Sequence, residues 1–167
     1  MTKREMETHK AEYDRLLALA GDAIRAGFYT FALRFAVESW DHVDGMMQYA
    51  RKYEEKEFDS IDSIDLVLRY APLIFDLSSL DRLESLLKTQ RRIEKNTSAD
   101  MAGKLDAARL LMRDAHRLWN WLETNHECEQ RTLRQTLGGE QENWRVIAEV
   151  WERMRLLART PDSGSYR

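Results

Sequence analysis

Only two prolines, Pro72 and Pro161, interrupt a chain of 167 residues that is otherwise rich in Leu, Ala, Arg and Glu. Proline breaks a helix interior because it lacks an amide hydrogen and its ring meets the carbonyl one turn back. With so few breakers and only seven glycines, the long stretches between them favour helix by intrinsic preference. The expectation is an all-α body, and its organisation is set by where apolar positions recur and where caps and glycines stop them.

A hydrophobic share of 43% with five Trp is enough for a real core, in one compact domain or two small ones. The single cysteine, Cys128, makes no internal disulfide; it fits a reducing cytoplasm and gives no support to a zinc site. Met1 to Asp14 is densely charged with no apolar run, which is unlike a signal peptide. Nowhere do about 18 apolar residues run together, so a transmembrane helix is excluded on length. These features point to a cytoplasmic protein with no membrane partner.

Charge is uneven along the chain. Residues 1–81 carry 10 basic and 16 acidic side chains, whereas 82–117 carry 9 basic and 5 acidic. The densest part of this basic island is "KTQRRIEKN", where Lys88, Arg91 or Arg92, and Lys95 fall at helical spacing.

Periodicity predicts a first helix over about Lys3 to Ala26, closed by Gly27, with Leu16, Leu19, Ala20, Ala23 and Ile24 buried. A second runs over about Tyr29 to Glu55, its apolar surface made by Phe31, Phe35, Val37, Trp40, Val43, Met46, Met47 and Tyr49. The acidic "YEEKEFDSIDSID" reads as a linker. Ser60 and Asp62 then offer caps for a third helix through Leu77 that Pro72 kinks or breaks. Ser78 with Asp81, and Thr97 with Asp100, have capping-box spacing for a fourth helix (Leu80 to Lys95) and a fifth reaching about Leu122. The fifth turns Leu105, Leu111, Ala115, Leu118, Trp119 and Leu122 inward. Two shorter segments follow, separated by Gly138-Gly139.

In the first hairpin Leu16, Leu19, Ala20, Ala23, Ala32, Ala36 and Ser39, with Gly27 at the turn, follow a spacing that resembles a tetratricopeptide unit. Ala20 replaces that family's usual Gly, Ala36 its aromatic and Asp44 its closing Pro, and no second copy follows about 34 residues on. A generic αα-hairpin is the alternative.

From Ala107 to Arg167 the order of long helix, short helix, Gly-containing turn, amphipathic helix and hairpin is similar to a winged helix-turn-helix domain. Leu133 and Leu137-Gly138 match that family's second helix and its stop. "WERMRLL" matches the end of its third helix, with Arg155 where Gly is usual. The resemblance implies that "ARTPDSGSYR" is the wing, with a strand at Arg159, a turn at Pro161 and Gly164, and a short return strand at Tyr166. A frayed tail after the last helix is the alternative. The division is then a helical-hairpin region, 1–96, and a winged-helix-like region, 97–167.

Winged helices often lay the third helix in the DNA major groove. With Trp144, Ile147, Trp151 and Met154 in the core, the outer face here shows Gln141, Glu142, Arg145, Glu149, Glu152 and Arg153. Three carboxylates make a poor phosphate contact. Lys88, Arg91, Arg92, Lys95, Arg131, Arg134, Arg145 and Arg159 are the candidate nucleic-acid residues; the plain alternative is a solvated helix face.

The aromatic supply points to protein contact instead. Trp40, Met46, Tyr49 and Trp121 are the candidate partner-binding residues, because Trp, Tyr and Met are adaptable contact surface. Trp119 and Trp121 cannot share one side of a helix. Hairpins followed by a winged helix are also similar, in order alone, to scaffold subunits of the proteasome-lid type, which serve assembly.

Catalytic constellations are sparse. Glu38 and His42 stand one helical turn apart with Asp41 and Asp44 near, a ligand pair for a remote metal-enzyme reading. Glu123 and His126 supply a single Glu-x-x-His, where a di-iron bundle needs two. No phosphate loop, nucleophile elbow or paired-His motif occurs. The sequence therefore predicts a non-catalytic binding or assembly module without cofactor or metal, its partner a protein or a second copy of the chain. A DNA-binding regulator is the alternative.

Overall fold

A computed structural model divides the chain into two compact units, Met1–Leu105 and Asp106–Arg167. It describes residues 1–49, 52, 61–89, 95–158 and 165–166. These are predominantly helical, as expected, and among them only one two-residue strand pair occurs. None of their helices is long and apolar enough to cross a membrane.

In the first unit, α1 spans Lys3–Ala26. Thr2 starts it with a capping box: its hydroxyl accepts from the Glu5 amide (3.2 Å) while its own amide donates to the Glu5 carboxylate (2.6 Å). Gly27 ends it in the left-handed region (φ 83°). Met6, Tyr13, Leu16, Ala20 and Ala23 are buried, a stripe that begins earlier than expected, with Leu19 and Ile24 at its half-buried margin.

The expected second helix is broken. Helix α2 covers Tyr29–Ser39, a 3-10 turn follows at Trp40–His42, and α3 covers Val43–Tyr49. The break turns the indole of Trp40 into the core, where its Nε1 donates to Ser63 Oγ at 2.9 Å. The buried face of α2 is Tyr29, Ala32, Leu33, Ala36 and Ser39. Small residues at that spacing let α1 and α2 pack closely, which leaves Phe31 outside the core against expectation.

Close approach also defines α3. A Cβ at Gly45 would collide with the His9 ring, so glycine is what lets α3 lie on α1 there. Helix α4 (Ile61–Tyr70) ends at a 3-10 turn, Ala71–Ile74, around Pro72. Phe75 then takes a left-handed conformation (φ 60°) and Asp76 caps α5, Leu77–Thr89. The Asp76 carboxylate accepts from the Ser79 amide (3.1 Å) and hydroxyl (2.7 Å), so the cap is Asp76 rather than Ser78. Most of the predicted acidic linker, with Ser60, lies outside the described residues.

Helix α6, Lys95–Asn125, starts ahead of the predicted Thr97 box. Met101, Leu105, Ala108, Met112, Ala115 and Leu118 are buried along it at spacings of four or three. The division between units falls within this helix, after Leu105.

In the second unit, β1 (Cys128–Glu129) leads through a 3-10 turn into α7, Leu133–Leu137. Gly138 and Gly139, both at positive φ, lead to α8, Gln141–Arg153. Trp144, Ile147, Ala148, Val150 and Trp151 of α8 are buried. Burying an indole removes on the order of 150–250 Å² from water. At about 25 cal/mol per Å² that is worth at most roughly 4–6 kcal/mol. Trp144 Nε1 also donates to Gly138 O at 2.8 Å, tying the helix to the turn that launches it.

Arg155 occupies the left-handed position after α8 (φ 61°), in a residue type that prefers to avoid it. The Arg155 amide donates to Glu152 O (3.0 Å) and the Leu156 amide to Trp151 O (2.9 Å), so the helix end is satisfied without glycine. Strand β2, Ser165–Tyr166, pairs antiparallel with β1, Cys128 opposite Tyr166 and Glu129 opposite Ser165. The predicted outgoing strand and turn at 159–164 lie outside the described residues.

Candidate interaction surfaces

The partner-binding residues read from the sequence divide into three groups. Trp40 (4% exposed) and Met46 (2% exposed) are core residues of the first unit, so neither is displayed to a partner. The reason is the break at residues 40–42, which redirects both inward. Trp121 is half-buried, with its Nε1 3.4 Å from Glu127 O. The Tyr49 side chain lies outside the described residues.

Among the basic candidates, Lys88 is exposed and pairs with Glu84 at 3.4 Å. Arg91, Arg92 and Arg159, and the side chain of Lys95, lie outside the described residues. Arg131 and Arg134 are exposed and make no ion pair among the described residues. Arg145 is held on its own helix, hydrogen-bonded to Glu142 one turn before and to Glu149 (2.9 Å) one turn after. The hydrogen bond and charge of Glu142, then the charge of Glu149, raise the Arg145 pKa further above its ordinary value. The same bond holds the Glu142 carboxyl below the usual range. The outward face of α8 is thus a self-paired row of Glu142, Arg145 and Glu149.

The α6–α8 junction carries a buried carboxylate. Asp114 accepts from Asn143 Nδ2 at 2.9 Å and lies 3.9 Å from the Arg117 guanidinium, which donates to Leu137 O at 3.2 Å. A Cβ on Gly139 would come within 2.7 Å of the Asp114 carboxylate, so the turn depends on glycine for both its φ and its close approach.

Each of the residues weighed for catalysis has neighbours of its own. His42 meets His9, with Nδ1 to Nδ1 at 3.0 Å and ring centroids 5.2 Å apart. Glu123 accepts from Trp119 Nε1 at 2.9 Å, and Cys128 is buried in β1. Among the described residues no group of three or more His, Cys, Asp or Glu is placed to hold a metal ion.

Large apolar side chains missed by the sequence reading stand at the surface. Phe28 (60% exposed) caps the start of α2, and Phe31 (53% exposed) lies one turn on, the two rings edge to face with centroids 6.3 Å apart. The Tyr29 and Tyr70 rings, 5.2 Å apart, bring the start of α2 beside the end of α4. The α1–α2 and α4–α5 turns therefore share one end of the first unit, where Leu77 is 50% exposed. The available signal was the small-residue spacing of Ala32, Ala36 and Ser39, which fixes the inner face of α2 and sends Phe28 and Phe31 outward. In the second unit Leu110, Trp119 and Leu156 are exposed; Trp119, expected to face inward, instead lies at the surface and stands edge-on to Trp151 at 5.7 Å.

No family model, curated protein or solved structure matches the chain.

Proposed function

We propose that the protein is a non-catalytic binding or assembly module that contacts other proteins through its helical hairpins and a winged-helix-like second unit. The observation that carries this reading is the set of large apolar side chains left exposed on well-formed helices: Phe28 and Phe31 in one unit, Leu110 and Trp119 in the other. Aromatic and long aliphatic groups at the surface supply contact area that becomes favourable when a partner removes it from water. The winged-helix reading of the second unit is supported by its order of helix, strand, short helix, glycine turn, amphipathic helix and returning strand, and by the antiparallel pairing of Cys128 with Tyr166. The tetratricopeptide-like reading of the first hairpin is supported by the burial of Ala20, Ala23, Ala32, Ala36 and Ser39 between α1 and α2.

A DNA-binding regulator is the second reading, favoured by Arg113, Arg131, Arg134, Arg153 and Arg155, which are exposed in the second unit without ion pairs among the described residues. Against it stands the self-paired face of α8, where Glu142 and Glu149 already occupy Arg145.

Two measurements on the full chain decide between them. Fluorescence anisotropy with random-sequence duplex DNA, at low and then moderate salt, is expected to show no binding; binding that falls steeply with salt and weakens in Arg131→Ala/Arg134→Ala would establish the regulator. Quantitative co-purification is expected to lose specific proteins in Leu110→Ser/Trp119→Ser and to keep them in Arg131→Glu/Arg134→Glu. Identical recovery by all three chains would count against the module.

A further inference from the structure

Two of the four histidines meet inside the first unit, His9 on α1 and His42 at the end of the turn that leads into α3. Both are half-buried, and their Nδ1 atoms are 3.0 Å apart. The ring centroids, at 5.2 Å, are further apart than the nitrogens by nearly two ring radii, so the two nitrogens lie between the rings and face each other. Such a contact is a hydrogen bond only while one Nδ1 carries a hydrogen and the other keeps its lone pair. It holds with both rings neutral or with one charged. With both charged, two N–H groups stand head to head and no acceptor is left between them. The His9 ring also fills the space left by the missing Cβ of Gly45, so it is seated between the turn and α3.

We propose that His9 and His42 form a proton-sensitive latch between α1 and α3, closed while at least one imidazole is neutral and opened when both are protonated. The charged groups around it leave the latch to the two rings. On α1, Glu5 interacts with His9 and Glu12 with His42, but the Glu5 carboxylate accepts from Thr2 and that of Glu12 from Arg15. Lys10, beside His9 in sequence, pairs with Asp14. Asp41 in the turn pairs with Arg82 of α5, while Glu38 of α2 and Asp44 of α3 are the remaining acids within one helical turn of His42 in sequence. These carboxylates draw positive charge towards the rings, yet among the described residues none is hydrogen-bonded to either, so none replaces the lost acceptor. The unfolded chain takes up both protons freely. The latch therefore contributes above the ordinary imidazole value of about pH 6.5 and is lost as pH falls below it. Val43 and Met46 are buried on α3, and lifting that helix from α1 uncovers them, which gives the protonated protein apolar surface that the neutral protein lacks.

The test is native-state amide hydrogen exchange of the full chain at pH 7 and pH 5, corrected for intrinsic exchange, with imidazole nitrogen NMR at both values. Protection of the α3 amides is expected to fall about tenfold at pH 5, while α5 and α8 keep theirs. At pH 7 the spectra should show one hydrogen between the facing Nδ1 atoms, and at pH 5 a hydrogen on each. His42→Asn separates the latch from general acid sensitivity, because the Asn oxygen sits where Nδ1 was and accepts at either pH; its α3 protection should no longer depend on pH. His42→Phe removes the acceptor and should show the lower protection already at pH 7. Unchanged α3 protection in the natural chain would overturn the latch whatever the variants do. So would an equal fall in His42→Asn, or both rings protonated at pH 5 with α3 still closed. Opening of α3 by a chelator at pH 7 would also overturn it, since the pair would then hold a metal ion in place of a hydrogen.

Discussion

Asn143, in the first turn of α8, donates its side-chain amide to the buried carboxylate of Asp114 on α6 at 2.9 Å. The bond clamps the glycine turn between α7 and α8 from below, and Gly139 lies against the same carboxylate. Removing Asn143 leaves the buried carboxylate without this donor, and removing Asp114 leaves the half-buried Asn143 amide unmatched. Asp114→Ala is expected to cost about 1–3 kcal/mol. Thermal denaturation of Asp114→Ala, Asn143→Ala and the double variant should show a coupling of about 0.5 kcal/mol or more. Simple additivity would mean that the contact does not hold the turn.

Helix α3 approaches α1 over Gly45, whose missing side chain makes room for the His9 ring. Gly45→Ala is expected to destabilise the protein by about 1–3 kcal/mol through overpacking, despite the better helix propensity of alanine. Denaturant unfolding checks the sign. The double variant His9→Ala/Gly45→Ala should recover part of the loss, because the colliding ring is gone; no recovery would place the cost elsewhere.

Arg155 holds a left-handed backbone conformation at the end of α8 while its side chain is exposed. Arg155→Gly is expected to stabilise the second unit by about 1 kcal/mol, since the αL penalty of a residue with a Cβ is of that order. Hydrogen exchange of the last turn of α8, with the melting temperature, reads the effect. A lower melting temperature would show that the arginine side chain contributes more than its backbone strain removes.

Three exposed carboxyls titrate low for local reasons. The Thr2 amide and hydroxyl hold Glu5 below the usual carboxylate range, and Arg15 and Arg145 do so for Glu12 and Glu142. A depressed folded-state value means that each interaction contributes fully above the ordinary carboxyl pKa of about 4.3 and is lost as pH falls through the lowered one. The ends of α1 and α8 should therefore loosen only in acid, below about pH 4. In carboxyl NMR titrations Thr2→Ala should raise the Glu5 midpoint and leave Glu142 where it was, and Arg145→Gln should do the reverse.

What the sequence disclosed follows from how local each determinant is. The whole of α1, from Lys3 to its closing Gly27, was legible because a cap, a periodic stripe and a glycine stop agree within one segment. The inner face of α8 was legible for the same reason, with Trp144, Ile147 and Trp151 one turn apart. The break after Ser39 was not, because Trp40 turns inward towards Ser63, a partner 23 residues away that no local pattern announces. The same blindness misplaced Phe31: aromatic character implied burial, whereas the alanines opposite it decide which side of α2 packs. Arg131 and Arg134 are exposed, but whether a cation is free depends on neighbours, and the pairing of Arg145 on its own helix emerged only in three dimensions.

The pairing of Cys128 with Tyr166 has a consequence for how the chain acquires its shape. During synthesis β1 leaves the ribosome long before its complement exists, while α7 and α8 follow it immediately. Short-range contacts form first because closing a long loop carries the larger entropic cost. The helices of the second unit, with Trp144 and Trp151 between them, thus have time to condense while β1 still presents unsatisfied amides, and arrival of Ser165 and Tyr166 completes the unit as a late zipping event. A nascent chain stalled before Ser165 should carry native-like indole fluorescence yet keep Cys128 open to thiol reagents, and release of the remaining residues should close that thiol.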